Sequence, residues 1–280
     1  MDAESHVVKL NGWPSNCKAA LSLTYDLDAD IFWRNMQGKL TSLSEAQFGA
    51  KQGLVRLVKM LERHGALGTF FVPGEIARMY PKEVLALRDG GHEIGHHGDV
   101  HLAIDVVSEA DQREEMLRGL EELEKLTGTR PKGYRCPGWE LTPYTLELLL
   151  KEGFLYDSSC MGDDRPYYLQ SGSKPFLEFP VHWSLDDWVY FRFGRDRGGI
   201  RSGPQFAGDM KDPDACFNAW KHEIQNAIIE RRHVTLTMHP EVIGRGYRAQ
   251  MLDELINWAK SEGVWVASLE QVASHLGCKV

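Results

Sequence analysis

The chain has 280 residues and a mass of 31.8 kDa, with 42% hydrophobic residues, a formal charge of −8 and a pI near 5.8. That size and apolar content suffice for one substantial core, and the acid excess gives no support to a nucleic-acid partner, which would want a basic stripe. Five cysteines (Cys17, Cys136, Cys160, Cys216 and Cys278) are scattered and never form a Cys-x-x-Cys pair, which excludes a disulfide framework and a thiolate zinc knot and suits a reducing cytoplasm.

Met1 to Ser15 are polar and mixed, without the apolar stretch of a secretion signal, and no run reaches the length of a membrane span. Ala19 to Tyr25 reads as a buried strand that ends in the acidic Asp26-Leu-Asp-Ala-Asp30. Apolar spacing predicts a helix over Ser44 to Arg63, closed by His64-Gly65. Gly68 to Val72 is a second strand stopped by Pro73-Gly74, and Pro81 to Arg88 a helix. A short third strand then runs into His92-Glu-Ile-Gly-His-His-Gly-Asp-Val-His101.

Ser108 and Asp111 form a capping pair for a charged amphipathic helix that reaches about Leu126 and ends at Gly128. Lys132 to Tyr134 is a strand leading into Arg135-Cys-Pro-Gly-Trp139; Thr142-Pro143 opens a helix to Gly153. Phe154 to Tyr156 is a strand before Asp157, and Phe176 to Phe179 and Val181 to Trp183 are extended. Gly and Arg mark 189–210 as a loop insertion, with a lid and an oligomer contact both open as its role. A helix from Asp212-Pro213 to about Arg232, a strand Val234 to Met238 delivering His239-Pro240, a helix Arg248 to Ser261, a strand Val264 to Ala267 and a short helix from Leu269 complete the chain. The strand–helix alternation without a linker predicts one α/β domain.

The chemically loaded residues repeatedly follow a predicted strand: Asp26 and Asp28, His97 and His101, Arg135, Asp157, His239. In barrels of parallel strands the active site is built at the carboxyl ends of the strands. Two imidazoles with a carboxylate form a common catalytic zinc set. His97 and His101 stand four apart, close enough for one helical turn to align them, although Gly98 between them favours a loop. One of Asp26 and Asp28 can bind the metal while the other takes a proton from the water it activates. Arg135 offers forked hydrogen bonds to such a base, Asp26, and the Pro137-Gly138 turn brings backbone N–H groups near a ligand. His239 is suited to proton donation near neutral pH, with Asp186-Asp187 as carboxylates to hold it protonated and Trp188 as an apolar wall. A nucleophilic role for Cys136 has no supporting partner. Trp33, Trp139, Trp183, Trp188 and Tyr190 are core aromatics by default, available for stacking where they sit in loops that follow strands.

In this order the segments resemble the polysaccharide deacetylase superfamily (the NodB-homology domain, carbohydrate esterase family 4) over about residues 17 to 275. The motif Thr-Phe-Asp-Asp-Gly corresponds to Thr24-Tyr-Asp-Leu-Asp28, His-Ser/Thr-x-x-His to His97-Gly-Asp-Val-His101, Arg-x-Pro to Arg135-Cys-Pro137, Asp-Trp to Asp187-Trp188 and Leu-x-His to Thr237-Met-His239 with Leu236 shifted by one. Asp-x-Asp, Gly98 and the runs around Asp157, Asp187 and His239 look like the peptidoglycan-deacetylase-like and allantoinase-like branch. The resemblance implies an irregular (β/α)7-8 barrel of NodB type, with residues 1–280 forming a single catalytic domain. It implies a metal-dependent hydrolase of non-peptide carbon–nitrogen bonds, most simply an N-deacetylase of an N-acetylated sugar or similar small amide. Asp28, His97 and His101 then hold the metal, zinc first and cobalt second. Asp26 is the base, His239 the acid, Asp187 its orienting group and Arg135 the residue that fixes Asp26; Pro137, Trp139 and Trp188 contact substrate. Members of that branch are intracellular and often oligomeric, so a dimer or tetramer is expected. A cyclic amide, imide or ureide hydrolase is the alternative reading, and a non-catalytic carbohydrate-binding barrel a further one.

Overall fold

Every residue of Ala19–Asp26 is buried, as an apolar run in a parallel sheet covered on both faces must be. In the computed structural model, which describes residues 7–8, 12–31, 34, 39–171, 174–191, 196–197, 200–201 and 211–277, this run is the first and central strand, β1. The other strands are β2 (Thr69–Val72), β3 (Glu93–His96), β4 (Gly133–Tyr134), β5 (Tyr156–Asp157), β6 (Tyr167–Ser171), β7 (Lys174–Glu178), a small antiparallel pair β8 (Asp196–Arg197) and β9 (Ile200–Arg201), then β10 (His233–Met238) and β11 (Val264–Val266).

The main sheet runs β10-β1-β2-β3-β4-β5-β7-β6, parallel from β10 to β7, with β6 antiparallel at the edge. One side of β1 carries β10 along nearly its whole length; the other carries β11 at its start and β2 at its end. The gap between the two flanks of the curled sheet is crossed by an isolated parallel bridge from Asp186 to Thr237. The result is an irregular barrel, closed by one bridge where a regular barrel has a full ladder.

Strand parity decides what lies inside. Ala20, Phe71, Tyr156, Leu177 and Phe179 pack together in the barrel interior. The opposite parity of β1 (Ala19, Leu21, Leu23, Tyr25) packs outward on Leu57, Leu61, Trp220, Ile224, Leu252 and Ile256 of the surrounding helices.

Four local outcomes differ from the sequence expectations. The helix expected over Ser44 to Arg63 is Leu40–Phe48 and Leu54–His64 joined by a π-helical turn, Gly49–Gly53. There it presses on the short helix Pro240–Ile243 that follows β10: a Cβ on Gly53 would lie 2.1 Å from the Pro240 carbonyl oxygen. Pro73-Gly74 ends β2 but also starts a helix, Gly74–Met79. Of Val181 to Trp183, expected to be extended, His182 has extended backbone but Trp183 opens the 3-10 turn Trp183–Leu185, which His182 caps. Most of 189–210 lies outside the described residues, and its first part, Val189–Phe191, completes a short helix Asp187–Phe191.

Candidate metal centre

Inward parity leads each strand to the same end of the barrel. Along β1, Ser22, Thr24 and Asp26 share the inner face; along β10, Thr235, Thr237 and then His239 do. Tyr25 pairs with Met238, so Asp26 and His239 are the next residues outward on adjacent strands. His96 pairs with Tyr134, which sets His97 beside Arg135 in the same way.

His97 and His101 do not lie on a helical turn. β3 ends at His96, and the chain turns through Gly98 (φ +76°) and His101 (φ +57°). This loop still brings the imidazoles to 5.2 Å between ring centroids, 76° apart in plane. Asp28 stands between them, Oδ1 3.5 Å from His97 Nε2 and Oδ2 3.5 Å from His101 Nε2. His97 donates through Nδ1 to the Arg135 carbonyl at 2.7 Å. Its proton is thereby committed, and the neutral ring turns the Nε2 lone pair towards a carboxylate oxygen. Burial lowers the His97 pKa to about 3 against the raising effect of Asp28. Asp28 Oδ1 is buried with no hydrogen-bond partner. Electron-pair donors aimed at one another, each within 4.8 Å of the others, fit a divalent cation and nothing that donates from the protein itself.

Asp26 lies beside this set, Oδ2 3.9 Å from His97 Nε2. Its other oxygen accepts from Arg135 Nη1 at 2.8 Å. Arg135 is fully buried and makes four hydrogen bonds: besides Asp26, Nη1 donates to Thr24 Oγ1, Nε to the Ser158 carbonyl and Nη2 to Ser158 Oγ, with the guanidinium 4.3 Å over the Phe71 ring. Asp26 is therefore tied to the barrel through its Oδ1, with Oδ2 turned towards His97.

On the far side, Asp187 Oδ1 accepts from His239 Nδ1 at 2.8 Å, and Asp186 Oδ1 stands 4.0 Å from the same nitrogen. Burial alone would lower the His239 pKa; the Asp187 charge and hydrogen bond, with Asp186 and Asp26 behind them, hold it well above the usual imidazole range. Burial pushes Asp186 up to about 7. Trp188 packs 5.0 Å from the His239 ring.

The structure thus brings Asp26, Asp28, His97, His101, Arg135, Asp187 and His239 to one end of the barrel. Pro137 abuts the histidine loop, its Cγ 3.3 Å from where a Cβ on Gly98 would lie. Trp139 is stacked on Trp183 at 4.2 Å, tying the loop after β4 to that after β7. Cys136 is fully buried, and burial holds its thiol well above the usual range, which disfavours a nucleophilic thiolate. Trp33 lies outside the described residues.

Several supporting residues have weak sequence signals. Thr24 and Ser158 cradle Arg135, and strand parity could have found both. Asp157 and Glu178, paired across β5 and β7, share the Ser159 backbone N–H, and both are pushed up by burial. Glu115 braces the histidine loop from the charged amphipathic helix, where it is one acidic residue among several.

A family model described as polysaccharide deacetylase matches residues 43–156. A peptidoglycan deacetylase of Helicobacter pylori is 28% identical, the match covering 89% of this chain and 92% of that one. A solved structure from Mycobacterium smegmatis, provisionally named a polysaccharide deacetylase, is 33% identical with a TM-score of 0.85 over 97% of this chain and 95% of that one. The Puue allantoinase structure superposes at a TM-score of 0.82 and 24% identity, over 95% and 93% of the two chains, a likeness of fold.

Proposed function

This chain belongs to the polysaccharide deacetylase family, hydrolases of amide carbon–nitrogen bonds, and from that premise we propose that it removes the acetyl group from an N-acetylated sugar with the help of one divalent ion. Asp28, His97 and His101 are the proposed ligands, zinc the proposed metal and cobalt its substitute. The observation that carries the reading is the pair of acceptors facing each other, Asp28 Oδ1 without a hydrogen-bond partner and His97 Nε2 with its proton committed elsewhere. When bound, such an ion supplies Lewis-acid polarisation of the amide carbonyl and acidifies the attacking water.

The rest falls to this chain's own groups. Asp26, held by Arg135, takes the proton from water. His239, kept charged by Asp187, gives a proton to the departing amine nitrogen, without which the amide would expel a strongly basic anion. Trp188 shields that proton from solvent, and Pro137 and Trp139 contact the sugar. The proposal extends to a single catalytic domain over 1–280, working as a dimer or tetramer in the cytoplasm. Cys17, Cys136, Cys160 and Cys216 are free thiols, which suits a reducing compartment, and among the described residues no helix is long and apolar enough to cross a membrane.

The test strips metal with a chelator, restores Zn²⁺ or Co²⁺, and measures acetate released from N-acetylglucosamine oligomers and peptidoglycan fragments beside ring opening of hydantoin- and succinimide-type compounds. Acetate release that needs the metal and disappears with bound metal in His97→Ala is expected. Ring opening alone would transfer the site to cyclic amides, and an active, metal-free His97→Ala would overturn the ligand assignment.

A further inference from the structure

The segment that carries His97 and His101 has an unusual backbone. It has left the ladder of β3, Gly98 lies at φ +76° and His101, which is not a glycine, at φ +57°. A residue with a side chain holds such a conformation only where its surroundings over-determine it. The surroundings here converge on one oxygen. Glu115 Oε1 accepts from the backbone N–H groups of Asp99 at 2.9 Å, Val100 at 2.8 Å and Leu102 at 3.1 Å.

Glu115 is itself buried, on the inward side of helix Glu109–Thr127 with Gln112, Met116, Gly119, Leu120 and Leu123. The helix can approach because Gly119 has no side chain; a Cβ there would lie 2.3 Å from the Gly98 carbonyl oxygen. From the other side Gly74 N–H donates to that carbonyl, Glu75 N–H to that of Asp99, and Arg78 pairs with the Asp99 carboxylate at 2.7 Å, while Arg118, on the same helix as Glu115, pairs with its other oxygen at 3.3 Å. Where the family motif has Ser or Thr, this chain has Gly98, and a Cβ at that position would lie 2.9 Å from Glu115 Oε1. The acid from the helix occupies the room that a side chain on the loop would need.

We propose that Glu115 is the positioning residue of the histidine loop: by gathering three backbone N–H groups on one carboxylate oxygen, it fixes His97 and His101 at the separation that a divalent ion requires. This rests on the assignment of Asp28, His97 and His101 as ligands. A charged acceptor binds N–H groups about twice as strongly as a neutral one, and loss of such support around metal ligands lowers affinity by about 10- to 100-fold.

The test uses the full chain, stripped of metal, titrated with Co²⁺ and Zn²⁺ against a competing chelator, and followed in parallel by the visible spectrum of bound Co²⁺. Glu115→Ala should weaken both ions about 10- to 100-fold and shift the Co²⁺ bands, with Glu115→Gln, which keeps an acceptor oxygen but no charge, in between. Thr127→Val is the comparator. It loses hydrogen bonds at the far end of the same helix, lowers stability without reaching the loop, and should bind Co²⁺ as wild type does. Wild-type affinity and spectrum in folded Glu115→Ala would overturn the proposal, as would equal weakening in Thr127→Val; if the alanine variant does not fold, Glu115→Gln decides alone. Failure of the ligand assignment reads differently, as Asp28→Ala binding Co²⁺ like wild type.

Discussion

Asp187 holds His239 by both its ring and its backbone: Oδ1 accepts from Nδ1 at 2.8 Å and Oδ2 from the backbone N–H at 3.0 Å. The double grip fixes the ring's rotation and its protonation together, and leaves Nε2 as the end that can exchange a proton with a substrate. Asp187 has no exposure, so its charge acts on the ring without water between them.

Asp187→Asn should therefore lower kcat by about 10²- to 10⁴-fold, the usual contribution of a placed acid. The sign of the pH effect follows from the His239 pKa, which Asp187 raises. Without that charge the imidazolium loses its proton at lower pH, so the alkaline limb of the kcat profile moves down. An Asn variant whose limb stays in place would remove His239 from the role of acid.

Arg135 and Asp26 make a prediction about stability. Arg135→Met leaves the Asp26 carboxylate buried beside Thr24 with no cation, and breaking such a pair costs about 3–5 kcal/mol. Urea unfolding of the metal-free protein should show a loss of that order, partly recovered in the Asp26→Asn/Arg135→Met double variant. Arg135→Lys should not restore wild-type stability, because a single ammonium cannot reach Thr24, Asp26 and both Ser158 oxygens at once. A loss under about 1 kcal/mol in Arg135→Met would refute the claim that this charge is uncompensated.

Buried histidines set an acid limit, and beside His97, whose pKa burial also lowers, two of them lie outside the proposed ligand set. His96 donates through Nε2 to the Met116 carbonyl and accepts the Gly98 N–H on Nδ1, so a second proton has no place to go; burial lowers its pKa to about 4. His233, facing Ser22 in the barrel, is lowered by burial to about 3. The unfolded chain protonates both near 6.5, so it binds more protons below that pH and stability falls as pH drops from about 6.5 towards 4. Each imidazole contributes a loss of up to about 1.4 kcal/mol for every pH unit crossed in that window. Chelator-treated protein should show its urea midpoint falling over the same range, less steeply in His233→Gln. A midpoint flat between pH 7 and 4.5 would contradict it.

Local pattern made much of this protein readable. Buried strands announce themselves as apolar runs, and a period of two already puts Thr24 and Asp26 on one face of β1. The Gly74–Met79 helix and the antiparallel β6 were not visible, because a Pro-Gly stop and a short polar–aromatic run fit several backbones until neighbours choose one. The π-helical turn at Gly49–Gly53 is likewise set by what it touches, the Pro240–Glu241 backbone.

What the sequence alone determined is which side chains emerge at strand ends, since alternation along an extended backbone is a property of consecutive residues. Which of them meet was decided only by the tertiary structure. The register of β1 against β10 sets His239 beside Asp26, that of β3 against β4 sets His97 beside Arg135, and Glu115 reaches the histidine loop from an amphipathic helix whose many charges do not single it out. Register depends on how distant segments share one core, and that free energy belongs to the whole chain rather than to any stretch of it.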